Sequence, residues 1–417
     1  MTPKPKQSQA PSSPPFKSTG LWLVGSRGAI STTLAYGLAA MQKGMLQPTG
    51  IITATPAYQS IDWVEWDSWV LGGHDVCQRP IQDSARELVR ANILPHEWIE
   101  ALDGEAQVFD GRMRPGILDG DGAAFDGADS RSAELGALSP REQISNLQKD
   151  WDEFEAEAGL QRTVVAHVAS TEAVRDVQEA WSSLTALEQA LDKGTDQPAS
   201  LLYAYAAISS GRAFVNFTPS VGSLPKALCE LALKHSVPHC GNDGKTGETL
   251  LKTALAPMFH ARAMKVLAWQ GYNMLGNRDG EVLKQDAHKA AKLTNKDEAL
   301  RSILEQDVSA KDRDLHSHVA IDFVPSLGDW KTAWDFVHFE GFLGTRMTLQ
   351  FTWAGSDSAL AAPLVLDLAR LAELSVRRGE SGIMAHTACF FKAPLAGGTH
   401  DFHQQYRELL DYIGRIR

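Results

Sequence analysis

The sequence has no apolar run long enough to cross a membrane, no pair of cysteines at metal-ligating spacing, and no excess of positive charge. The first absence argues against a membrane-spanning segment. The second follows from Cys77, Cys229, Cys240 and Cys389, whose positions fit neither a CxxC site nor a disulfide framework, so a reducing, cytoplasmic setting is expected. The third rests on 40 Lys and Arg against 51 Asp and Glu, a net charge of −11. Its field repels polyanions, so neither nucleic acid nor a membrane is an expected partner. An anionic small molecule would need a local lysine cluster. Met1 to Gly20 is rich in Pro, Ser and Lys and lacks the apolar stretch of a signal peptide, and residues 1–18 read as a disordered tail.

What is present is ordinary globular composition, 43% hydrophobic and 22% charged over 417 residues, enough for two domains with cores of their own. Leu21-Trp22-Leu23-Val24 reads as a buried strand, Gly25-Ser26-Arg27-Gly28 as a turn, and Ser31 to Met41 as a helix. Strand-like segments follow at 50–53, 163–168 and 213–215, with helix-like segments at 139–159, 171–191 and 224–235. This alternation predicts an α/β fold, a Rossmann-like doubly wound parallel sheet. From 261 to 349 the pattern changes to mixed strands, including His318 to Phe323, and Ser358 to Leu374 reads as a long apolar helix returning to the first unit. The expected division is a nucleotide-binding domain over 19–249, an inserted α+β domain over 250–357, and a return over 358–417. Residues 115–140, rich in Gly, Asp, Ala and Ser, read as a flexible surface loop. Asp119-Gly120-Asp121 begins like a calcium loop, but Ala123 stands where a ligand is needed. No metal site is expected.

The glycine turn presents the amides of a helix N-terminus, which favour a pyrophosphate. It is an incomplete dinucleotide fingerprint, with Arg27 in the loop and a small residue for the third glycine; a plain strand-to-helix turn is the competing reading. No acid for an adenosine ribose stands between Ile51 and Ala57, and Asp75 in Gly72-Gly73-His74-Asp75 is the nearest acid in a glycine setting. Gly244-Lys245-Thr246 resembles the end of an ATPase phosphate loop, but His239 occupies the position of that motif's first glycine. What Lys245, Thr246, Gly247 and Thr249 do offer, at the start of a predicted helix, is an anion cradle for a phosphate monoester. Lys292 and Lys296 share a helix face, where two ammonium groups repel by a few tenths of a kcal/mol; such a pair is either solvated surface or a ligand and an acid/base at a phosphate. Lys392, between Phe390-Phe391 and Ala393-Pro394, is either a snorkelling lysine or one with a partner.

These residues, in motif order from Leu21 to Leu395, resemble the myo-inositol-phosphate synthase (inositol-3-phosphate synthase) family. The family's Gly-Asp-Asp-x-Lys-Ser-Gly-Gln-Thr is matched by Gly241 to Thr249, and its Tyr-Asn-x-Leu-Gly-Asn-Asn-Asp-Gly by Tyr272 to Gly280. Its paired lysines fall on Lys292 and Lys296, its Gly-Asp-Ser-Lys on Gly328 to Lys331, its Glu-Asp-Ser on Ser356 to Ser358, and its Leu-Lys-Ala-Pro-Leu on Phe391 to Leu395. In the nucleotide half, Gly72 to Val76, Ser170 to Glu172 and Asn216 match family segments.

The resemblance implies NAD as cofactor, held by Gly25, Ser26, Arg27, Gly28, Ala29, Ile30, Asp75, Ala169, Thr171, Asn216, Thr218 and Asp243. It implies a sugar phosphate bound by Lys245, Thr246, Gly247, Glu248, Thr249, Asn273 and Leu275. It implies redox-neutral cyclisation of glucose 6-phosphate to inositol 3-phosphate by oxidation at C5, enolisation, intramolecular aldol closure and reduction. Lys292 is then the acid/base at the C5 hydroxyl, Lys392 stabilises the C5 and aldol oxygens, and Lys296 and Lys331 bind phosphate or the C1 oxygen. Asp243, Asp279, Asp329 and Asp357 orient or neutralise these lysines, the substrate's phosphate is the implied base at C6, and the assembly is a homotetramer. Ala29 and Ile30 replace the paired asparagines of the eukaryotic glycine loop, Glu248 replaces a glutamine, and Arg278, replacing an asparagine, is the expected counter-charge to Glu248. The same chemistry on another sugar phosphate, a polyol-phosphate dehydrogenase, or a non-catalytic nucleotide-binding homologue are the alternatives.

Overall fold

The computed structural model describes residues 18–118, 127–173, 175–276, 300–304 and 315–417. Among them are eleven strands: β1 (Thr19–Val24), β2 (Trp69–Asp75), β3 (Met113–Pro115), β4 (Arg162–His167), β5 (Ala213–Asn216), β6 (Pro238–Cys240), β7 (Lys265–Leu275), β8 (His316–Phe323), β9 (Trp330–Glu340), β10 (Arg346–Ser356) and β11 (Gly382–Ile383). Seven form a parallel sheet in the order β11-β6-β5-β4-β1-β2-β3. β1 is central and buried on both faces. Leu21 and Leu23 enter one hydrophobic core and Trp22 and Val24 the other, which is why this strand is an unbroken apolar run rather than an alternating one. Helices Ala29–Gln42 and Asp357–Arg377 pack on the first face, and Pro140–Ala158 and Ala199–Ser209 on the second.

The other four strands form a sheet in the order β10-β9-β7-β8, with β7 and β8 parallel and the other pairs antiparallel, a mixed sheet as expected. Its core, around Trp269, Phe259 and Val337, lies against the Glu248–Ala261 helix.

Three expectations need correction. Residues 50–53 are not a strand; they run into a single helical turn at Ile52–Ala54, anchored because the Asp367 carboxylate accepts the amides of Ile52 and Thr53, each at 2.8 Å. The second strand is β2, hidden by its glycine pair. A Cβ at Gly72 would lie 2.7 Å from the Trp22 ring, and one at Gly73 would lie 2.4 Å from the Ser26 Cβ, so these glycines permit close approach to β1 rather than a turn. Residues 171–191 are helical only from a turn at Glu179–Ser182 and over Leu184–Asp192. The Glu172 side chain accepts the Ser200 amide at 2.7 Å and its hydroxyl at 2.5 Å, which draws the preceding stretch across the strand ends as a loop. Within the 115–140 segment, Ser130–Gly136 is a helix capped by Asp129; Asp119 to Ala123 lie outside the described residues.

Candidate active site

The sheet order places its topological switch between β1 and β4, the crevice in which open α/β sheets receive ligands. Gly25 leaves β1 at φ +91, and a Cβ there would stand 2.7 Å from the Ala169 Cα; both the backbone and the space require glycine. Ser31 ties the turn by donating its hydroxyl to the Gly25 carbonyl at 2.8 Å. Gly28 caps the Ala29–Gln42 helix, whose first turn carries no acid, so the amides of Ala29, Ile30 and Ser31 keep the positive end of the dipole unopposed. The Ser26 hydroxyl is buried without a partner.

Across the turn, β2 ends on Asp75, whose carboxylate accepts the Arg27 amide at 2.7 Å and the Cys77 amide at 3.1 Å. With β2 identified, Asp75 is therefore the acid at the end of the second strand, the place of a ribose-binding acid. At and just past the ends of β4 and β5 lie Ala169, the buried Thr171, Asn216 and Thr218. Asn216 donates to the Ser220 carbonyl at 2.8 Å and accepts the Thr218 hydroxyl at 2.8 Å. The glycine turn, an orphaned serine hydroxyl, free helix amides and Asp75 on one edge fit a dinucleotide.

Beside this edge the chain from Gly241 to Lys245 pairs with the chain from Phe390 to Leu395. Asn242 and Ala393 exchange amide bonds at 3.0 and 3.1 Å, and the Lys392 amide donates to the Asp243 carbonyl at 2.7 Å. Gly244 permits this, since a Cβ there would meet the Phe217 ring at 2.2 Å. The result sets the Lys392 ammonium 2.7 Å from Asp243 Oδ1, while Asp243 Oδ2 stays buried and unpartnered. The Asp243 amide in turn donates to the Thr218 carbonyl at 2.9 Å. Asp243 thus joins the dinucleotide edge to a lysine.

A second lysine arrives from the other sheet. Lys331 lies opposite Leu275 on β7 and Gly355 on β10; its ammonium pairs with Asp357 and donates to the Thr246 hydroxyl at 2.9 Å. Gly247 caps the Glu248–Ala261 helix, and a Cβ on it would sit 3.0 Å from Lys331 Nζ. Around this helix end the Thr249 hydroxyl and the Trp353 indole N–H are buried without partners. Helix amides, an ammonium and unused donors on one spot are what a phosphate monoester requires.

Other candidates are placed differently. Lys245 turns away, donating to Gln405 Oε1 at 2.7 Å and lying over the Phe402 ring; burial pulls its pKa down to about 8. Glu248 faces beneath the cradle, 2.6 Å from Lys252, so its counter-charge is Lys252; Arg278 lies outside the described residues. A Cβ at Gly271 would lie 2.2 Å from Glu248 Oε1 and 3.2 Å from Asp335 Oδ1, which explains a glycine within β7. Asp329 holds serines rather than a lysine: it accepts Ser356 Oγ at 2.5 Å and Ser358 Oγ at 2.7 Å, and burial raises its pKa. Asn273 donates to the Ala320 carbonyl at 3.2 Å, and Leu275 ends β7. Arg27 holds the turn by donating its amide to Asp75, its guanidinium being paired with Asp110 at 2.5 Å. Lys292, Lys296 and Asp279 lie outside the described residues. Lys252 and Trp353 went unnoticed in the sequence, although Lys252 stands in register with Glu248 for a helical pair.

A family model for an NAD-binding family described as myo-inositol-1-phosphate synthase matches residues 19–413. The inositol-3-phosphate synthase 1 of Bacteroides thetaiotaomicron is 32% identical over 402 residues, covering 93% of this chain and 90% of that protein. Its counterpart in Oryza sativa is 29% identical over 399 residues, covering 87% and 77%. Among solved structures, the inositol-3-phosphate synthase of Caenorhabditis elegans superposes with a TM-score of 0.82 at 23% identity, covering 95% and 85% of the two chains. A myo-inositol-1-phosphate synthase-related protein of Thermotoga maritima gives 0.75 at 21%, covering 95% and 98%. At these identities the structural likeness bears on the fold.

Proposed function

The chain belongs to the myo-inositol-1-phosphate synthase family, and from that premise we infer its activity. It is an NAD-dependent isomerase that cyclises glucose 6-phosphate to inositol 3-phosphate. NAD bound at the switch point supplies hydride acceptance and return, so the reaction is redox-neutral overall. The observation that carries the reading is the convergence of Lys392–Asp243 and Lys331–Asp357 beside the dinucleotide edge.

The assignment of roles is a proposal. Gly25, Ser26, Gly28, Ala29 and Ile30 receive the pyrophosphate, with Arg27 holding the turn; Asp75 takes the ribose, and Ala169, Thr171, Asn216 and Thr218 line the nicotinamide side. Thr246, Gly247, Thr249 and Lys331 bind the substrate phosphate, which fixes the sugar relative to Asp243 and Lys392. Lys392 presents a preorganised cation to the oxygen that gains charge, and such stabilisation costs little reorganisation when the donor is already held. Asp243 aims that ammonium from 2.7 Å. Lys245 and Glu248 support the cradle through Gln405 and Lys252 rather than by touching substrate.

The cradle is tested by heat denaturation. Inorganic phosphate should raise the melting temperature through selective binding to the native state, about 2.7 kcal/mol at a hundred times its dissociation constant, and Lys331→Ala should remove most of the shift. No shift in the parent protein at saturating phosphate would contradict the cradle.

The far face of the second sheet supports a homo-oligomer, a homotetramer by family resemblance, with residues 250–357 as the catalytic and oligomerisation insert. Tyr272, Met274 and Trp334 are all more than a third exposed there, and Tyr272 stacks on Trp334 at 5.7 Å. Contiguous exposed aromatics of this kind mark association surfaces. Light scattering should give a multiple of the chain mass, and Trp334→Glu a smaller one.

A further inference from the structure

Two arginines stand at the end of β2 beside Asp75, and both are committed. The Arg27 guanidinium pairs with Asp110 at 2.5 Å and donates to the Arg79 carbonyl. The Arg79 guanidinium pairs with Glu87 at 2.7 Å and donates to it through a second nitrogen at 2.9 Å. The backbone reinforces the arrangement: Arg27 donates its amide to Asp75 at 2.7 Å and its carbonyl accepts the Ser84 hydroxyl at 2.8 Å. Cys77 donates its amide to the same Asp75 carboxylate at 3.1 Å, and the Arg27 guanidinium reaches the Arg79 carbonyl, so Asp75, Arg27 and the Arg79 backbone lie together. In a sheet of this type that region receives the adenosine ribose.

Coenzymes with and without a 2′-phosphate differ at this point alone. An acid there hydrogen-bonds a free 2′-hydroxyl, whereas a free arginine recruits the 2′-phosphate. This chain carries both residue types side by side, so composition does not decide between the two coenzymes. The pairing does: each guanidinium is engaged by a carboxylate, so neither is free to take a 2′-phosphate.

We propose that Asp110 and Glu87 are specificity-determining residues that hold Arg27 and Arg79 in ion pairs and thereby favour NAD over its 2′-phosphorylated form. A 2′-phosphate would meet Asp75 and Asp110 as like charges and would gain an arginine only by breaking an existing pair. Like-charge juxtaposition of this kind costs several kcal/mol. The inference rests on the coenzyme reading above and assigns the selectivity to two acids outside the glycine turn.

The test is fluorescence titration of the purified full-length protein with NADH and with NADPH. The parent protein should bind NADH on the order of a hundredfold more tightly. Asp110→Asn keeps an oxygen to accept the Ile81 amide, which Asp110 now accepts at 3.2 Å, while removing the charge; Glu87→Gln alters a half-exposed surface side chain. The double variant should narrow the NADH-to-NADPH preference by about tenfold or more, chiefly through tighter NADPH binding. If the two acids only stiffen the turn, both coenzymes weaken together and the ratio stays fixed, which overturns the inference. A parent protein that favours NADPH also overturns it. Failure of the parent to bind either coenzyme would instead bring down the coenzyme reading, and the inference with it.

Discussion

Lys392→Ala should lower kcat by about a hundredfold or more while leaving NAD affinity nearly unchanged, the scale on which acid/base and oxyanion groups act. The side chain ends on Asp243, not on the glycine turn, so its loss removes a cation from the reacting end and leaves the pyrophosphate end intact. It also leaves Asp243 buried with both oxygens unpaired, since Oδ2 already lacks a partner. Some loss of stability, about 1–3 kcal/mol for an uncompensated buried group, should accompany the loss of turnover, and the melting temperature separates the two. Lys392→Arg should not rescue: a planar fork does not replace a point donor at one carboxylate oxygen. Product formation at saturating coenzyme, together with an NADH titration, checks this. Unchanged turnover, or loss of coenzyme binding with turnover intact, would contradict the role.

Gly25→Ala should abolish measurable NAD binding or prevent folding, and Gly28→Ala should leave the fold intact. The two glycines belong to the same turn, yet they differ physically. Gly25 is at φ +91 with Ala169 backbone atoms 2.7 and 2.8 Å from an added Cβ, and neither element can move without separating β1 from β4. Gly28 has φ −72, and the nearest atom to its added Cβ is the Gly25 carbonyl oxygen at 3.3 Å. A positive φ plus a backbone clash exceeds the roughly 1–3 kcal/mol of strain that surrounding structure commonly absorbs. Thermal melting of the two variants and calorimetric titration of Gly25→Ala with NAD decide the point; full NAD binding by Gly25→Ala would mean that the turn is not the coenzyme site.

The contrast between these glycines also shows where sequence reading stops. The first strand, its turn and the following helix were legible because an apolar run, a glycine pair and a helical period occur in order. The start of the Glu248–Ala261 helix was legible because Gly247 and two threonines open a helical stretch. β2 was not, since Gly72-Gly73 looks like a turn until Trp22 and Ser26 are seen to occupy the space that side chains would take. Asp75 consequently looked displaced when it was at the strand end all along. The sequence offers both Lys245 and Lys331 as phosphate ligands, and only Lys331 faces the helix end at Gly247; which way a lysine turns depends on partners such as Gln405, more than a hundred positions along the chain. Glu248 stands in sequence among the residues of the proposed cradle, but its side chain meets Lys252, because a helix sends side chain and amide in different directions. Sequence order reports which elements meet more readily than it reports which atoms do.

The account as a whole is tested most directly by incubating the protein with glucose 6-phosphate and a substoichiometric amount of NAD and following the mixture by phosphorus and proton NMR. The expected result is a cyclic inositol phosphate in molar excess over the NAD supplied, with no net rise in NADH absorbance. NADH accumulating in step with an oxidised sugar phosphate, or no conversion at all by protein that binds NAD, would contradict it.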